Sequence, residues 1–184
     1  MQFVDLNRQQ EVIRAELESR IKAVLEHGRY IMGPEVKELE ERLAEFVGVK
    51  HSIGCSSGTD GLLMALMALD VGPGDAIFTT PFTFIATAEV IALLGATPVF
   101  VDIDPSTFNI NPESLGYSIQ AVSANGQLKP RGVIPVDLFG LPADYDAIMS
   151  AANEYDLFVL EDGAQSSSRC SMYWIKSSTI DSSV

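Results

Sequence analysis

The first fifty residues carry apolar side chains at the spacing of two amphipathic helices. Apolar residues recur three and four positions apart between residues 8 and 25, which predicts a helix that ends at Gly28. Pro34 is placed to open a second helix, because proline at the first helical position gives up no helical hydrogen bond. Gly48 is placed to end it, since glycine readily adopts the left-handed conformation found at helix C-termini.

From residue 51 onward, short apolar runs alternate with helical patterns. We predict strands over residues 51–55, 76–80, 98–102, 132–136 and 157–160. We predict helices over residues 58–69, 84–94, 112–122 and 142–155, with a polar loop over 123–130. This alternation indicates the α/β class, in a three-layer αβα arrangement around a mainly parallel sheet that is covered on both faces.

The chain after Gln165 departs from this alternation. It is rich in serine, has no glycine and shows no clear apolar period. We therefore expect one α/β part over residues 1–165 and an atypical, poorly ordered tail over residues 166–184.

Composition narrows the class of partner. The 184 residues carry a formal net charge of −13, and because no basic patch offsets it, nucleic-acid and anionic-membrane partners are not expected. The most apolar region, residues 82–101, is interrupted by Glu89 and Pro98 and is not expected to span a membrane. Two scattered cysteines, Cys55 and Cys170, make no disulfide framework and fit a cytoplasmic protein.

The segment CSSGTDG, residues 55–61, follows a predicted strand and opens a predicted helix. Free backbone N–H groups and the positive end of the helix dipole would face an anion there. Gly58 would let a phosphate approach the backbone closely, and Thr59 would add a hydroxyl donor. The spacing is neither that of a dinucleotide-binding loop nor that of a Walker loop. The alternative is an ordinary capped helix, with Ser57 or Thr59 as its N-cap.

An aromatic residue marks a second strand end. Phe84 closes the segment TPFTF, residues 80–84, which follows a predicted strand and begins a predicted helix. An aromatic ring at such a tip can stack on a planar cofactor. The alternative is a core aromatic at a helix start.

The apolar run over residues 157–160 is followed by Asp162, with Gln165 three residues later. Ligands bind at the carboxyl ends of the strands in open α/β sheets. A carboxylate there would attract a protonated ring nitrogen by roughly 4 kcal/mol at about 4 Å and an effective dielectric near 20, equivalent to roughly 3 pKa units. The alternatives are a helix N-cap or a solvated loop acid. Asp137, at another strand end, is a further candidate whose ordinary interpretation is loop capping.

In this order, the segments resemble the DegT/StrS-type sugar aminotransferases, which are fold-type I pyridoxal-phosphate enzymes. Each motif is weak alone, but six in the family order over most of the chain form a specific signal. The matching motifs are HGRYIMGPEV at 27–36, SGTDGL at 57–62, VGPGD at 71–75, PFTFIATA at 81–88, VFVDID at 99–104 and EDGAQS at 161–166.

The resemblance implies an incomplete large domain of such an enzyme, with pyridoxal 5′-phosphate as its cofactor. Residues 28–34 would line the active site near a homodimer interface. The resemblance implies that Thr59 and the Asp60 backbone bind the cofactor phosphate, beside the cofactor-binding Gly58, and that Phe84 stacks on the pyridine ring. It also implies that Asp162 pairs with the ring nitrogen and that Gln165 contacts the phenolic oxygen side.

The implied reaction moves an amino group, usually from glutamate, onto a keto group of a nucleotide-linked sugar in polysaccharide, cell-surface glycan or aminosugar biosynthesis. The family's Schiff-base lysine is expected beyond Val184. Lys176 has no matching surroundings and is expected to be a solvated tail residue. We therefore expect a truncated or divergent chain that is inactive alone.

Two other classes of function remain open. A non-catalytic relative that binds a nucleotide sugar or a partner protein would need no such lysine. A Rossmann-type oxidoreductase is disfavoured, because no G-x-G-x-x-G motif follows the first predicted strand. His27 and His51 lie too far apart to suggest metal-ligand spacing, so no metal site is predicted.

Overall fold

The computed structural model describes residues 5–166 and the backbone of residues 175 and 176. It divides into two compact units, with the division after Gly54. The boundary expected after residue 165 stays a prediction. Cys170, the side chain of Lys176 and most of the expected poorly ordered tail lie outside the described residues.

The first unit contains two helices, α1 (Leu6–His27) and α2 (Pro34–Val47). Pro34 occupies the start of α2 as predicted. Both helices end at glycines in the left-handed region, Gly28 with φ 65° and Gly48 with φ 77°. The sequence therefore places both helices correctly, because proline and glycine mark their ends by backbone geometry.

The second unit alternates helices and strands around one sheet. Its strand order is β2-β1-β3-β4-β5; the first four strands are parallel, and β5 pairs antiparallel with β4. The mainly parallel sheet is thus confirmed. The elements are α3 (Gly58–Ala68), β1 (Asp75–Thr79), α4 (Ala86–Leu93), β2 (Thr97–Phe100), α5 (Pro112–Asn125), β3 (Lys129–Ile134), α6 (Tyr145–Glu154), β4 (Phe158–Leu160) and β5 (Ile175–Lys176).

Consecutive residues of the central strands pack into separate cores on the two faces of the sheet. Phe78 and Val133 belong to the core that includes residues of α5 and α6. Ile77 and Ile134 belong to the core that includes residues of α3 and α4. Side chains alternate between the faces of a strand, so the sheet is covered by helices on both sides. This confirms the three-layer αβα arrangement.

The strand predicted over residues 51–55 is wrong. Ile53 is 77% exposed, so its side chain gains little of the burial that stabilises a strand. The Gly54 N–H donates to the Glu40 Oε1 at 2.7 Å and not to a neighbouring strand. The segment therefore enters the second unit as irregular chain.

The polar loop predicted over residues 123–130 is also wrong over most of its length. Helix α5 continues to Asn125 and ends where Gly126 takes φ 68° and donates its N–H to the Val122 carbonyl. Strand β3 already begins at Lys129, whose N–H donates to the Gly74 carbonyl at 2.8 Å. Polar composition hid both elements because their solvent-facing residues lie at these ends.

The two-residue strand β5 was not expected, since the sequence after Gln165 has no clear period. Helix α4 begins two residues later than predicted, and α6 three residues later. These shifts leave the order of elements unchanged.

Candidate functional site

Asp162 is held at the carboxyl end of β4 by its own backbone. Its N–H donates to the Pro135 carbonyl at 2.9 Å, and its carbonyl accepts from the Asp137 N–H at 3.1 Å. These two bonds extend the parallel pairing of β3 and β4 by one bridge. The residue is only 6% exposed, so the predicted carboxylate at a strand end is a buried one.

The two carboxylate oxygens of Asp162 have different surroundings. Thr87 Oγ1 donates to Oδ2 at 2.8 Å. Oδ1 accepts the Ala164 N–H at 3.4 Å, which is long for an N–H···O bond. Burial raises the pKa of Asp162 above its ordinary value, and the Thr87 hydrogen bond acts in the opposite direction. Oδ1 therefore keeps acceptor capacity for a further donor.

Helix α3 begins with a cap built from three polar residues. Ser57 is the N-cap, and its Oγ accepts the Asp60 N–H at 3.1 Å. The Asp60 carboxylate accepts from Ser56 Oγ at 2.5 Å and from Ser57 Oγ at 2.9 Å. The Ser56 hydrogen bond, followed by that of Ser57, lowers the pKa of Asp60. The capped-helix interpretation is confirmed for Ser57.

The cap decides which donors remain at the start of α3. The Asp60 N–H, expected to face an anion, is already used by Ser57. Within the described residues, neither the N–H nor the hydroxyl of Thr59 has a hydrogen-bond partner. Both belong to the first turn of α3, where the helix dipole favours an anion.

Asp162 and the start of α3 line the same cavity, which has a volume of about 220 Å³. This is smaller than the roughly 300–1,000 Å³ of a typical ligand pocket. The residues that line the cavity come from three separate segments of the sequence. Its lining consists of Gly58, Thr59, Leu62, Phe84, Ala86, Thr87, Asp162 and Ala164.

Phe84 lies at this cavity and is 71% exposed. It precedes α4 and is no core aromatic, so that alternative is wrong. An exposed ring beside a cavity offers its face to a planar group. Its stacking on a cofactor stays a prediction.

Gln165 and Asp137 lie outside the cavity lining. Gln165 Oε1 accepts the Phe139 N–H at 2.8 Å. Asp137 is 1% exposed, and its Oδ1 accepts the Ala143 N–H at 3.0 Å and the Tyr145 hydroxyl at 2.8 Å. The loop-capping interpretation of Asp137 is therefore the correct one.

Thr87 is the residue that sequence reasoning missed. It is fully buried in the first turn of α4, yet it hydrogen-bonds Asp162 across 75 positions of sequence. The only signal was a hydroxyl between Ala86 and Ala88 in a mainly apolar helix. Such a buried hydroxyl requires a partner, although the sequence does not say which one.

Acidic groups lie close to the buried side of Asp162. Burial, and then the neighbouring Asp137 carboxylate, raise the pKa of Glu161 to about 7. Burial, and then Glu161 and Asp137, also raise the pKa of Tyr145. Burial, more than the neighbouring carboxylates, therefore makes negative charge in this cluster costly.

Two other kinds of site are not found in the described part of the chain. No group of three or more histidine, cysteine or acidic side chains is placed to hold a metal ion there. His27 instead lies with its Nε2 3.0 Å from Glu35 Oε1. None of the helices described is both long enough and apolar enough to cross a membrane.

A model of the DegT/DnrJ/EryC1/StrS aminotransferase family matches residues 11–171. The chain belongs to this aminotransferase family. The match includes the whole cavity lining and confirms the resemblance drawn from the six motifs. Residues 28–34, expected to line the active site, lie in the first unit, and their role stays a prediction.

The relatives of this family member include sugar-modifying enzymes. It is 50% identical over 166 residues to a UDP-2-acetamido-2-deoxy-3-oxo-D-glucuronate aminotransferase of Pseudomonas aeruginosa, covering 90% of this chain and 44% of the relative. A DegT DnrJ EryC1 StrS aminotransferase from Brucella abortus is 52% identical with a TM-score of 0.88, over 90% of this chain and 44% of that one.

A third relative identifies the cofactor. The NtdA protein of Bacillus subtilis, solved with bound cofactor PMP, is 30% identical with a TM-score of 0.80, over 91% of this chain and 37% of that one. PMP is the amine form of pyridoxal phosphate, so pyridoxal phosphate is the cofactor of this aminotransferase family. The chain spans less than half the length of each of these three relatives.

Proposed function

We propose that the cavity beside Asp162 binds pyridoxal phosphate as part of a sugar aminotransferase. In the proposed reaction an amino group passes from glutamate to a keto group of a nucleotide-linked sugar. Two observations support the substrate class: the family match, and a relative that acts on a UDP-linked 3-oxo sugar acid.

The buried carboxylate of Asp162 carries the proposal. It lines the cavity, keeps Oδ1 available for a donor, and has the Asp137 carboxylate nearby. A protonated ring nitrogen is the cation that pyridoxal phosphate would bring to it. When bound, the cofactor supplies the electron sink that amino transfer needs, and Asp162 holds the proton on the ring nitrogen.

The phosphate end of the proposed site is the first turn of α3. Thr59 offers both an N–H and a hydroxyl that have no other partner among the described residues. Gly58 lines the cavity beside it. Asp60 would contribute indirectly, by holding the first turn of α3 in place, because its N–H and its carboxylate both hydrogen-bond to Ser57 Oγ. The donor set therefore fits a phosphate.

The ring of pyridoxal phosphate would lie between these two ends. Phe84 is the exposed aromatic residue of the cavity and would stack on the ring face. Gln165 lies outside the cavity lining, and because its Oε1 accepts the Phe139 N–H, its Nε2 is the group that would donate to the phenolic oxygen. The proposal therefore ranks Phe84 above Gln165 as a cofactor contact.

A second candidate function is binding without turnover. None of the eight residues that line the cavity is a lysine, although the cofactor needs a covalent lysine partner for catalysis. This observation favours a chain that holds the cofactor, and with it a nucleotide sugar or a partner protein, but transfers no amino group alone.

One set of assays separates these candidates. The 184-residue protein is incubated with pyridoxal phosphate, glutamate and a UDP-linked 3-keto sugar, and the products are read by mass spectrometry. Cofactor binding with amino-sugar product supports the enzyme, whereas binding without product supports the second candidate. Borohydride reduction followed by peptide mapping identifies any lysine that joins the cofactor. Absence of cofactor binding contradicts both candidates.

We also propose that the protein forms a homodimer, the assembly that the family resemblance implies. Multi-angle light scattering would give twice the chain mass of 19.9 kDa. A monomer mass at all concentrations tested would contradict it.

A further inference from the structure

A chain of two hydroxyl groups ends on the Asp162 carboxylate. Thr87 Oγ1 donates to Asp162 Oδ2 at 2.8 Å, and Thr83 Oγ1 lies 3.0 Å from Thr87 Oγ1. A threonine hydroxyl has one proton, and that of Thr87 is given to the carboxylate. The proton between the two threonines must therefore come from Thr83, so both hydroxyls donate in the direction of Asp162.

We propose that Thr83 and Thr87 are positioning residues that hold Asp162 by its Oδ2 and leave Oδ1 for a cationic N–H in the cavity. The identity of that cation rests on the proposed function, whereas the hydrogen-bond chain does not. Neither threonine is proposed to touch the reacting atoms. Their effect passes through the carboxylate alone.

The surroundings explain why Asp162 needs such support. Burial and the Asp137 charge both raise the pKa of Asp162, while the Thr87 hydrogen bond and the Ala164 N–H lower it. Among the described residues, the other titratable groups near it are Glu161 in the same segment and Tyr145 on α6. Residues of α3 and α4 that line the cavity bring no titratable group. Thr87 is therefore the main contact that stabilises the ionised carboxylate.

Thr83 would act by strengthening the bond that Thr87 makes. A hydroxyl that accepts one hydrogen bond becomes a better donor in the next, because each bond polarises its neighbour. Thr83 is half-buried and lies before α4, whereas Thr87 is fully buried within it. The expected order of effects is therefore Thr87 first and Thr83 second.

The test measures the pKa of Asp162 in the protein without cofactor. A pH titration monitors the ¹³C NMR signal of the Asp162 side-chain carboxyl, and the D162N variant assigns that signal. Thr87→Val keeps the shape but removes the donor, and we expect it to raise the pKa by about one pH unit. Thr87→Ser keeps the hydroxyl and should restore the wild-type pKa. Thr83→Val should raise the pKa by less.

Thr79→Val is the matched control. Thr79 is also fully buried, and its Oγ1 donates to the Ile134 carbonyl at 2.8 Å instead of to Asp162. It should lose stability but leave the Asp162 pKa unchanged. The proposal is overturned if Thr87→Val leaves the pKa unchanged, or if Thr87→Ser raises it as Thr87→Val does. If Thr87→Val does not fold, an unchanged pKa in Thr83→Val has the same meaning.

The positioning role of the threonines and the binding of pyridoxal phosphate can be tested independently. If the pKa of Asp162 responds as expected but pyridoxal phosphate does not bind, the positioning role stands and the proposed function fails. If pyridoxal phosphate binds but Thr87→Val leaves the Asp162 pKa unchanged, the proposed function stands and the positioning role fails.

Discussion

The ring of Phe158 in β4 occupies the space where Gly132 in β3 has no side chain. The two residues are paired in the parallel register, and a Cβ on Gly132 would lie 2.2 Å from the Phe158 ring. Real non-bonded carbons do not approach this closely. Glycine is therefore required at this strand position by packing, and the pair joins the two strands that lead to the functional site.

Gly132→Ala should destabilise the protein by about 1–3 kcal/mol or more, because overpacking forces the ring or the strand to move. Gly116→Ala is the control, since nothing lies within 4 Å of a Cβ at that helical position. It should stabilise the protein by about 0.5–1 kcal/mol. Urea unfolding of the two variants measures both effects. A Gly132→Ala variant as stable as the wild type would contradict the packing argument.

The pH dependence of stability should carry a contribution from Glu161. Burial, and then Asp137, raise its folded-state pKa from 4.5 to about 7. An acid with a raised folded-state pKa contributes stability that is fully present below about pH 4.5 and is lost as the pH rises through about 7. The loss should be below about 3 kcal/mol, because the group is half exposed and water screens it.

Glu161→Gln removes this titration. The free energy of unfolding of the variant, relative to wild type, should rise between pH 5 and pH 8 in urea unfolding. Glu154→Gln, which removes an exposed carboxylate on α6, should show no comparable rise. If the free energies of unfolding of Glu161→Gln and wild type change in parallel with pH, the folded-state pKa of Glu161 is not raised.

Sequence alone predicted the elements from α1 to β4, apart from the wrong strand at residues 51–55, because the apolar period changes between helix and strand. The prediction failed where a tertiary contact determines the local secondary structure. The chain at residues 51–55 could pair as a strand, but the Gly54 N–H binds the Glu40 side chain instead. The start of β3 at Lys129 depends on the Gly74 carbonyl, more than fifty residues away, which no local pattern reveals.

The candidate site, like the fold, was predicted from the sequence only in part. Asp162 was visible because it lies two residues after a short apolar run, at the strand end where ligands bind in α/β sheets. The role of Thr87 could not be predicted from the sequence. Its contact with Asp162 requires the segment after β1 to reach the end of β4, although β3 lies between these two strands in the sheet. The family resemblance placed Gln165 near the site, but its side-chain Oε1 accepts the Phe139 N–H.

Thr59→Val should weaken binding of pyridoxal phosphate by roughly tenfold to a hundredfold. The variant loses a hydroxyl bond to a charged phosphate, worth about 1.5–3 kcal/mol. Thr59→Ser keeps the hydroxyl and should bind nearly as the wild type does. Isothermal titration calorimetry gives the dissociation constants.

A ligand control separates the phosphate from the ring. Pyridoxal, which lacks the phosphate, should bind the wild type and Thr59→Val equally. An equal loss of affinity for both ligands would mean that Thr59 does not face the phosphate.

The central claim is that Asp162 holds the proton on the cofactor's ring nitrogen. ¹⁵N NMR of ring-labelled pyridoxal phosphate bound to the protein at pH 8 reads that proton directly. We expect a pyridinium signal in the wild type and a neutral pyridine signal in Asp162→Asn. Asp144→Asn, which changes the N-cap residue of α6, is the control and should keep the pyridinium signal. A neutral ring in the wild type, or a pyridinium that persists in Asp162→Asn, would contradict the central claim.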